Sequence, residues 1–271
     1  MPQQPLNMSH FPITIDGKSH PDPAKQSSYQ NDVVALIGKL WWQSRVGRAL
    51  LEEIKSAKFR LRIEPQPLGQ VMPGVVKGPL KGATYVTRER PFSGAPELIF
   101  GGKSTGPEPS ILFVPAQDVT LWFTPGFGAA AKKLLPGVVT ALLEDDASLV
   151  HELVHVARIM SGSFDAYEMK DGWQDREEFY AVLIQNIYLS EQKRHHLRVS
   201  YTSMSTTGNY LSLPPDAFAE RYDYEILQFV MDWCAFARKV SAIPCAFNPI
   251  RTRFKNSLTT MVRNPFCGLP T

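Results

Sequence analysis

The pentapeptide His151-Glu152-Leu153-Val154-His155 contains the residue types with the clearest capacity for chemistry in this chain. Two histidines four positions apart lie on one face of an α-helix, with Cβ atoms about 5–6 Å apart. This spacing allows both imidazoles to reach a single Zn²⁺ at about 2.0–2.1 Å. Glu152 directly follows the first histidine, so its carboxylate can accept a proton from a metal-bound water. The motif therefore predicts a metal centre with a general base beside it.

The residues around this motif predict the element that carries it. The flanking positions are almost all apolar, which indicates a buried helix: Leu149, Val150, Val156 and Ala157. Asp145 or Asp146 can cap the start of this helix, and Gly162 can end it. A buried helix has to satisfy its polar side chains, and a metal ion would satisfy these. The apolar neighbours disfavour the alternative, which is a pair of surface histidines on an amphipathic helix.

This H-E-x-x-H arrangement is that of metallopeptidases, whose zinc takes three protein ligands and an open position for water. Glu177 and Glu178 begin a strongly apolar helical stretch 22 to 23 residues after His155. We predict Glu178 as the third ligand, with Glu177 as the alternative. The helix dipole favours acidic residues in a first turn, which accounts for at least one of them without a metal. The less favoured candidates are Asp165, Asp171, Asp175, His195 and His196.

Three further polar residues downstream are candidates for supporting roles. Arg198 and Tyr201 are spaced to project together from a helical turn, and either group can stabilise the oxyanion of a tetrahedral intermediate. The alternative is two ordinary surface residues. Asn186 lies within an apolar helical stretch and must find partners. It is expected either to orient a metal ligand or to make a helix-to-loop hydrogen bond.

The hydrophobic pattern predicts an α+β fold with one domain over residues 29–271, preceded by a flexible, Pro- and Gln-rich tail over residues 1–28. Helical periodicity runs over residues 29–56, with a predicted break at Gly47. Short strands are predicted at 59–63, 83–87, 97–100, 110–114 and 119–123. Longer helices are predicted at 136–160, 174–193 and 215–240.

The composition argues against several classes of protein. The chain has 271 residues and a formal net charge of +3, which is too weak for a nucleic-acid-binding face. It contains no apolar run of the roughly 18 residues that a membrane span needs. Residues 1–22 lack the basic and apolar regions of a signal peptide, so we expect synthesis and folding in the cytoplasm. The three cysteines are too few for a disulfide scaffold.

The segment from about Tyr29 to Tyr201 loosely resembles the zinc metallopeptidase effectors of bacterial secretion systems, and the match is tight only around the motif. The resemblance rests on the His151–His155 motif, the Glu177-Glu178 pair, Asn186, Arg198 and Tyr201. That group includes NleD-like type III effectors and the metallopeptidase domains fused to type VI secretion spike proteins. The resemblance implies a zincin-like fold with a small sheet and a mainly helical C-terminal half. It also implies a zinc endopeptidase with Zn²⁺ on both histidines and a downstream glutamate, and Glu152 as general base.

The same resemblance implies a biological setting. The protein would be a secreted effector or toxin, made in the bacterial cytoplasm and delivered into another cell without a classical signal peptide. Its partners would be a protein substrate in the target cell, a secretion spike or chaperone and, for a bacterial target, an immunity protein. The Arg198 and Tyr201 pair is similar to one that assists catalysis in clostridial neurotoxin-type proteases. The alternative is a non-catalytic secreted binding or adaptor protein with a structural zinc, closed by His195 or His196 as a fourth ligand.

Overall fold

The chain combines helices with two small sheets, which confirms the predicted α+β class. The computed structural model describes residues 6–18, 20, 22–57, 59–65, 74–77, 86–89, 96–100, 119–125, 144–161, 163–165, 169, 173, 175–194, 197–198 and 215–253. For 74–77, 86–89 and 96–100 the description covers the backbone alone. Within these ranges, no helix has both the length and the apolar character needed to cross a membrane.

The first two helices meet at Ser44 and not at the predicted break. Helix α1 covers Gln26–Gln43 and α2 covers Arg45–Ser56. Ser44 has extended backbone angles, and its side chain accepts a hydrogen bond from the Gly47 amide, so it is the N-cap of α2. A Cβ at Gly47 would lie 2.7 Å from the Leu40 carbonyl oxygen. The prediction of a break at Gly47 is therefore wrong: this glycine lies inside α2 and permits its close contact with α1.

Within the described ranges, the larger sheet has four strands in the order β1-β2-β6-β3. Its strands are β1 (Ile13–Ile15), β2 (Leu61–Glu64), β3 (Gly74–Lys77) and β6 (Val119–Trp122). The first three in spatial order are parallel, and β3 runs antiparallel to β6 at one edge. Leu61 and Ile63 pair with Val119 and Leu121, and all four side chains are buried. One face of this sheet therefore covers the core, as the alternation of a strand requires.

A second sheet is antiparallel and contains β4 (Val86–Glu89), β5 (Pro96–Phe100) and β7 (Phe164–Asp165). The strand predicted at 97–100 corresponds to β5, and that at 83–87 overlaps β4 only at its end. The strand predicted at 110–114 lies outside the described residues. Strand β7 follows the motif helix, so this sheet also packs beside the candidate site.

The prediction of a flexible tail over residues 1–28 is wrong from Phe11 onwards. Strand β1 pairs in parallel with β2, and Phe11 and Ile15 are buried in the core. A short 3₁₀ helix follows at Pro23–Lys25 and leads directly into α1. The partner of β1 lies almost fifty residues farther along the chain, so the local Pro-rich composition did not reveal the pairing. The N-terminal segment thus forms an edge of the main sheet.

Two almost fully buried helices lie side by side in the second half of the chain. Helix α3 covers Asp145–Ser161 and α4 covers Arg176–Glu191. They correspond to the helices predicted at 136–160 and 174–193, although 136–143 lie outside the described residues. Helix α3 also packs against α2 and against strands β3 and β6. It therefore lies between the main sheet and the other helices, as the apolar sequence around His151 predicts.

The single helix predicted at 215–240 is wrong, because this segment forms three shorter helices. They are α5 (Pro215–Arg221), α6 (Asp223–Asp232) and α7 (Cys234–Ser241). Tyr222 and Trp233 separate them with non-helical backbone angles, and each is only 5% exposed. Burial of these two aromatic side chains accompanies the changes of direction. The helical periodicity in the sequence does not reveal these interruptions.

Candidate metal centre

The two histidines of the motif and one glutamate converge between α3 and α4. His151 and His155 lie one turn apart on α3, as predicted, and Glu178 lies in the first turn of α4. Asp175 fixes where α4 begins, because its carboxylate accepts a hydrogen bond from the Glu178 amide at 2.8 Å. Asp175 is thus the N-cap of α4 and not one of the three converging groups. Together, His151, His155 and Glu178 could hold a metal ion.

The distances between the three donor groups fit one small cation. Nε2 of His151 lies 3.3 Å from Nε2 of His155 and 3.1 Å from Oε2 of Glu178. Nε2 of His155 lies 3.6 Å from Oε1 of Glu178. In a tetrahedral site with metal–ligand distances of about 2.0–2.1 Å, ligand atoms are about 3.3–3.4 Å apart. Two imidazoles and a carboxylate at these separations are a suitable donor set for a divalent metal such as zinc.

Glu177, the alternative third ligand, is engaged elsewhere. Both of its carboxylate oxygens accept from Nε of Arg158, at 2.7 and 2.9 Å, and both side chains are fully buried. Its nearest approach to a motif histidine is 3.9 Å, to Nδ1 of His155. That nitrogen is on the opposite side of the ring from the converging Nε2. The structure therefore favours Glu178 over Glu177 as the third metal-binding residue.

The converging groups shift each other's proton affinity. Burial alone would raise the pKa of Glu178, but hydrogen bonds and the charges of His151 and His155 hold it well below its usual value. Burial alone would lower the pKa of His155, but the carboxylates of Glu177 and Glu178 raise it well above 6.5. Glu178 is thus ionised at neutral pH, which is the form in which a carboxylate binds a metal.

Glu152 lies in the same buried centre but outside the converging set. Its residue is 7% exposed, similar to His151 and His155. Burial raises its pKa, while the charges of His151 and His155 act in the opposite direction. A carboxylate with a raised pKa, close to a candidate metal site without belonging to its donor group, is a candidate for a general base.

Arg198 lies beside Nδ1 of His151 and is held there by Asn186 of α4. Asn186 donates to the Arg198 carbonyl and accepts from its amide, both at 2.8 Å. The Arg198 guanidinium donates to Gln185 at 3.1 Å and lies 3.5 Å from Nδ1 of His151. Asn186 therefore makes the predicted helix-to-loop hydrogen bonds, and through them it holds Arg198 beside a motif histidine.

The other candidates from the sequence do not join this cluster in the part of the chain that the structure describes. Asp165 forms part of β7 and pairs with Ile99 of β5. Four candidates lie outside the described residues: Asp171, His195, His196 and Tyr201.

Two residues of this centre were not predicted from the sequence, Arg158 and Gln185. Arg158 interrupts an apolar helix three positions after His155. A fully buried guanidinium needs an acidic partner, so its position was the available signal. Gln185 donates to the Ala147 carbonyl of α3 and accepts from Arg198. Its position beside Asn186 in an apolar helix was a similar but weaker signal.

The chain matches no protein-family model, and no significant similarity was found to curated proteins or to solved structures. The function must therefore be argued from the geometry of His151, Glu152, His155 and Glu178.

Proposed function

We propose that this protein is a zinc-dependent endopeptidase. The observation that carries the proposal is the convergence of His151, His155 and Glu178 at distances suited to one ion, with Glu152 buried beside them. The three donors that converge within the described residues equal the number of protein ligands in a catalytic zinc site. The buried carboxylate of Glu152 beside them favours the enzyme over the alternative of a non-catalytic binding or adaptor protein with a structural zinc, because a structural site needs no base.

In the proposed mechanism, His151, His155 and Glu178 would hold Zn²⁺, which supplies a Lewis acid that polarises a carbonyl and acidifies water. Glu152 takes a proton from the attacking water, whose oxygen bonds to the scissile carbonyl carbon. Glu152 then returns that proton to the amide nitrogen as the carbon–nitrogen bond breaks. The raised pKa of Glu152 suits both transfers, because the group must release the proton that it has accepted.

Two further residues have proposed roles in this reaction. The Arg198 guanidinium lies 3.5 Å from Nδ1 of His151, not at the converging Nε2, so its proposed role in stabilising the negative charge on the substrate oxygen rests on the sequence alone. Tyr201 is proposed for the same role from its spacing in the sequence alone. Neither assignment affects the choice of metal ligands or of the general base.

The main sheet supports a peptide as the substrate. Among the described strands, β3 lies at the edge of the main sheet, antiparallel to β6, and it packs against α3, the helix that carries the motif. An extended peptide can add to such an edge through main-chain hydrogen bonds, which are independent of side-chain identity. A mixed sheet with this edge beside a buried motif helix also supports the zincin-like fold as a proposal.

The proposed setting is a bacterial effector or toxin secreted without a classical signal peptide. This setting rests on the resemblance of the motif region to secreted metallopeptidase effectors. A protein substrate in the target cell, a spike or chaperone and an immunity protein belong to the same proposal.

The decisive variant is Glu152→Gln, which keeps the size of the side chain and removes the base. We expect stoichiometric zinc in the wild type and in the variant, measured by elemental analysis. Cleavage of a peptide library, read by mass spectrometry, should fall about 10²–10⁴-fold in the variant. Full zinc content with undiminished cleavage would refute Glu152 as the base. A wild type that binds no zinc and cleaves no peptide would refute the proposed function.

A further inference from the structure

Arg158 is a charged residue in the interior of the protein, immediately behind the candidate site. It is 0% exposed. Its guanidinium lies over the ring of Tyr180, with centroid distance 4.6 Å, and near the rings of Phe229 and Trp233 at 5.9 and 5.8 Å. Its Nη2 also donates to the Ser163 carbonyl. An ion with this little freedom can fix the position of whatever it binds.

What Arg158 binds is the carboxylate of Glu177, the residue next to the proposed ligand Glu178. Its Nε donates to both oxygens of Glu177, which is 1% exposed. Burying such a pair costs desolvation energy, and replacing it with apolar side chains is often neutral or stabilising. A contribution to stability therefore does not by itself explain why an ion pair is buried here.

The third residue of this arrangement is His155, and the atom concerned is Nδ1, the ring nitrogen that does not face His151 and Glu178. Its Nδ1 is buried without a hydrogen-bond partner among the described residues. The closest carboxylate oxygen is Oε2 of Glu177, at 3.9 Å. When Nε2 of a histidine binds a metal, Nδ1 carries the proton, and this N–H almost always donates to a carboxylate, a carbonyl or a water. Glu177 is at the place where such an acceptor is needed.

We propose that Glu177, fixed by Arg158, is a positioning residue for His155. It accepts the Nδ1–H of His155 when Nε2 binds the metal, which sets the tautomer and the orientation of the ring. The inference rests on the proposed zinc site. It assigns different tasks to two adjacent glutamates: Glu178 binds the metal, and Glu177 orients a ligand from behind.

The test compares two double variants that both remove the ion pair, so that no buried charge is left unpaired. Arg158→Met/Glu177→Gln keeps a hydrogen-bond acceptor at position 177, whereas Arg158→Met/Glu177→Met does not. Zn²⁺ affinity is measured by competition with a chelator. Loss of such an acceptor typically weakens metal binding about 10–100-fold. We expect this loss in the Met/Met variant and a substantially smaller one in the Met/Gln variant.

Asp146→Asn is the matched control, since it disturbs a buried carboxylate at the other end of α3 and should leave Zn²⁺ affinity unchanged. Equal Zn²⁺ affinity in the two double variants, whether native or weakened, would overturn this inference but not the proposed function. A wild type that binds no Zn²⁺ would overturn both this inference and the proposed function.

A measurement on the wild type covers the case in which a double variant fails to fold. In Zn²⁺-loaded protein with ¹⁵N-labelled histidine, the His155 side chain should show a protonated Nδ1 whose proton exchanges slowly with water. An unprotonated or freely exchanging Nδ1 would contradict the inference.

Discussion

Helix α3 carries two buried polar clusters of opposite character, one at its start and one near its middle. At its start, Asp146 is 3% exposed and accepts hydrogen bonds from Lys39, Tyr188 and Arg194. Burial alone would raise the pKa of Asp146, but these hydrogen bonds, first that of Arg194, hold it far below its usual value. Three side-chain donors of this cluster converge on the Asp146 carboxylate, and Arg194 also donates to the carboxylate of Glu144. We call it the Asp146 cluster.

Farther along the same helix, the metal-centre residues place two imidazole nitrogens and a carboxylate against one another. Nε2 of His151 faces Nε2 of His155 at 3.3 Å, and the Glu178 carboxylate completes the group. A metal ion would satisfy all three groups at once, whereas a single proton can serve only one pair. The comparison teaches that burial of polar residues does not by itself indicate function. The distinguishing feature is whether the cluster supplies its own donors or requires a cation.

The most direct test of this difference between the two clusters is to remove one imidazole. His155→Ala should abolish stoichiometric Zn²⁺ binding, because two donors remain where a zinc site needs at least three from the protein. Asp146→Asn should retain full zinc content, since the Asp146 cluster contributes no ligand. Both are measured by elemental analysis after dialysis against Zn²⁺. Full zinc in His155→Ala, or its loss in Asp146→Asn, would show that the two clusters are not separate in function.

Both variants are expected to lower stability without metal. Asp146→Asn removes a charged acceptor from Lys39 and Arg194, and should lower the free energy of unfolding by about 1.5–3 kcal/mol. His155→Ala removes a buried imidazole whose pKa is raised by the carboxylates of Glu177 and Glu178, so it should lower the free energy of unfolding as well. Urea unfolding with chelator present measures both values. An unchanged free energy of unfolding in Asp146→Asn would show that the Asp146 cluster does not stabilise the fold.

The metal centre was predictable from the sequence as far as the helical period reaches. His151, Glu152 and His155 lie within one turn of α3, so their spacing alone places them together. The choice between Glu177 and Glu178 was not predictable, since neighbours on a helix face directions about 100° apart. Here the deciding contact is between Glu177 and Arg158, and it depends on how α3 packs against α4.

The fold, too, was predictable from the sequence only where local residue patterns determine it. The existence of α3, α4, β2 and β6 followed from runs of apolar residues. The end of α1 at Ser44 was not predictable from the local sequence, because a distant residue helps to fix it. The Glu191 carboxylate accepts from the Ser44 hydroxyl at 2.6 Å and from the Arg45 amide at 2.7 Å. The pairing of β1 with β2 is likewise non-local. Contacts between distant segments decided what local composition could not.

The smallest expected effect is the dependence of the Asp146 contribution on pH. The carboxyl of Asp146 has a pKa below its usual 3.8 in the folded protein, so its stabilisation is complete above that value and is lost as pH falls. The difference in unfolding free energy between wild type and Asp146→Asn should be constant from pH 7 to about 5. Below the unfolded-state pKa it should shrink by about 1.4 kcal/mol for each pH unit. Urea titrations of both proteins at pH 7, 5, 4 and 3 measure it, and groups common to both cancel in the difference. A difference that is unchanged or larger at pH 3 would mean that the Asp146 carboxylate is not stabilised by Lys39, Tyr188 and Arg194 in the way the geometry indicates.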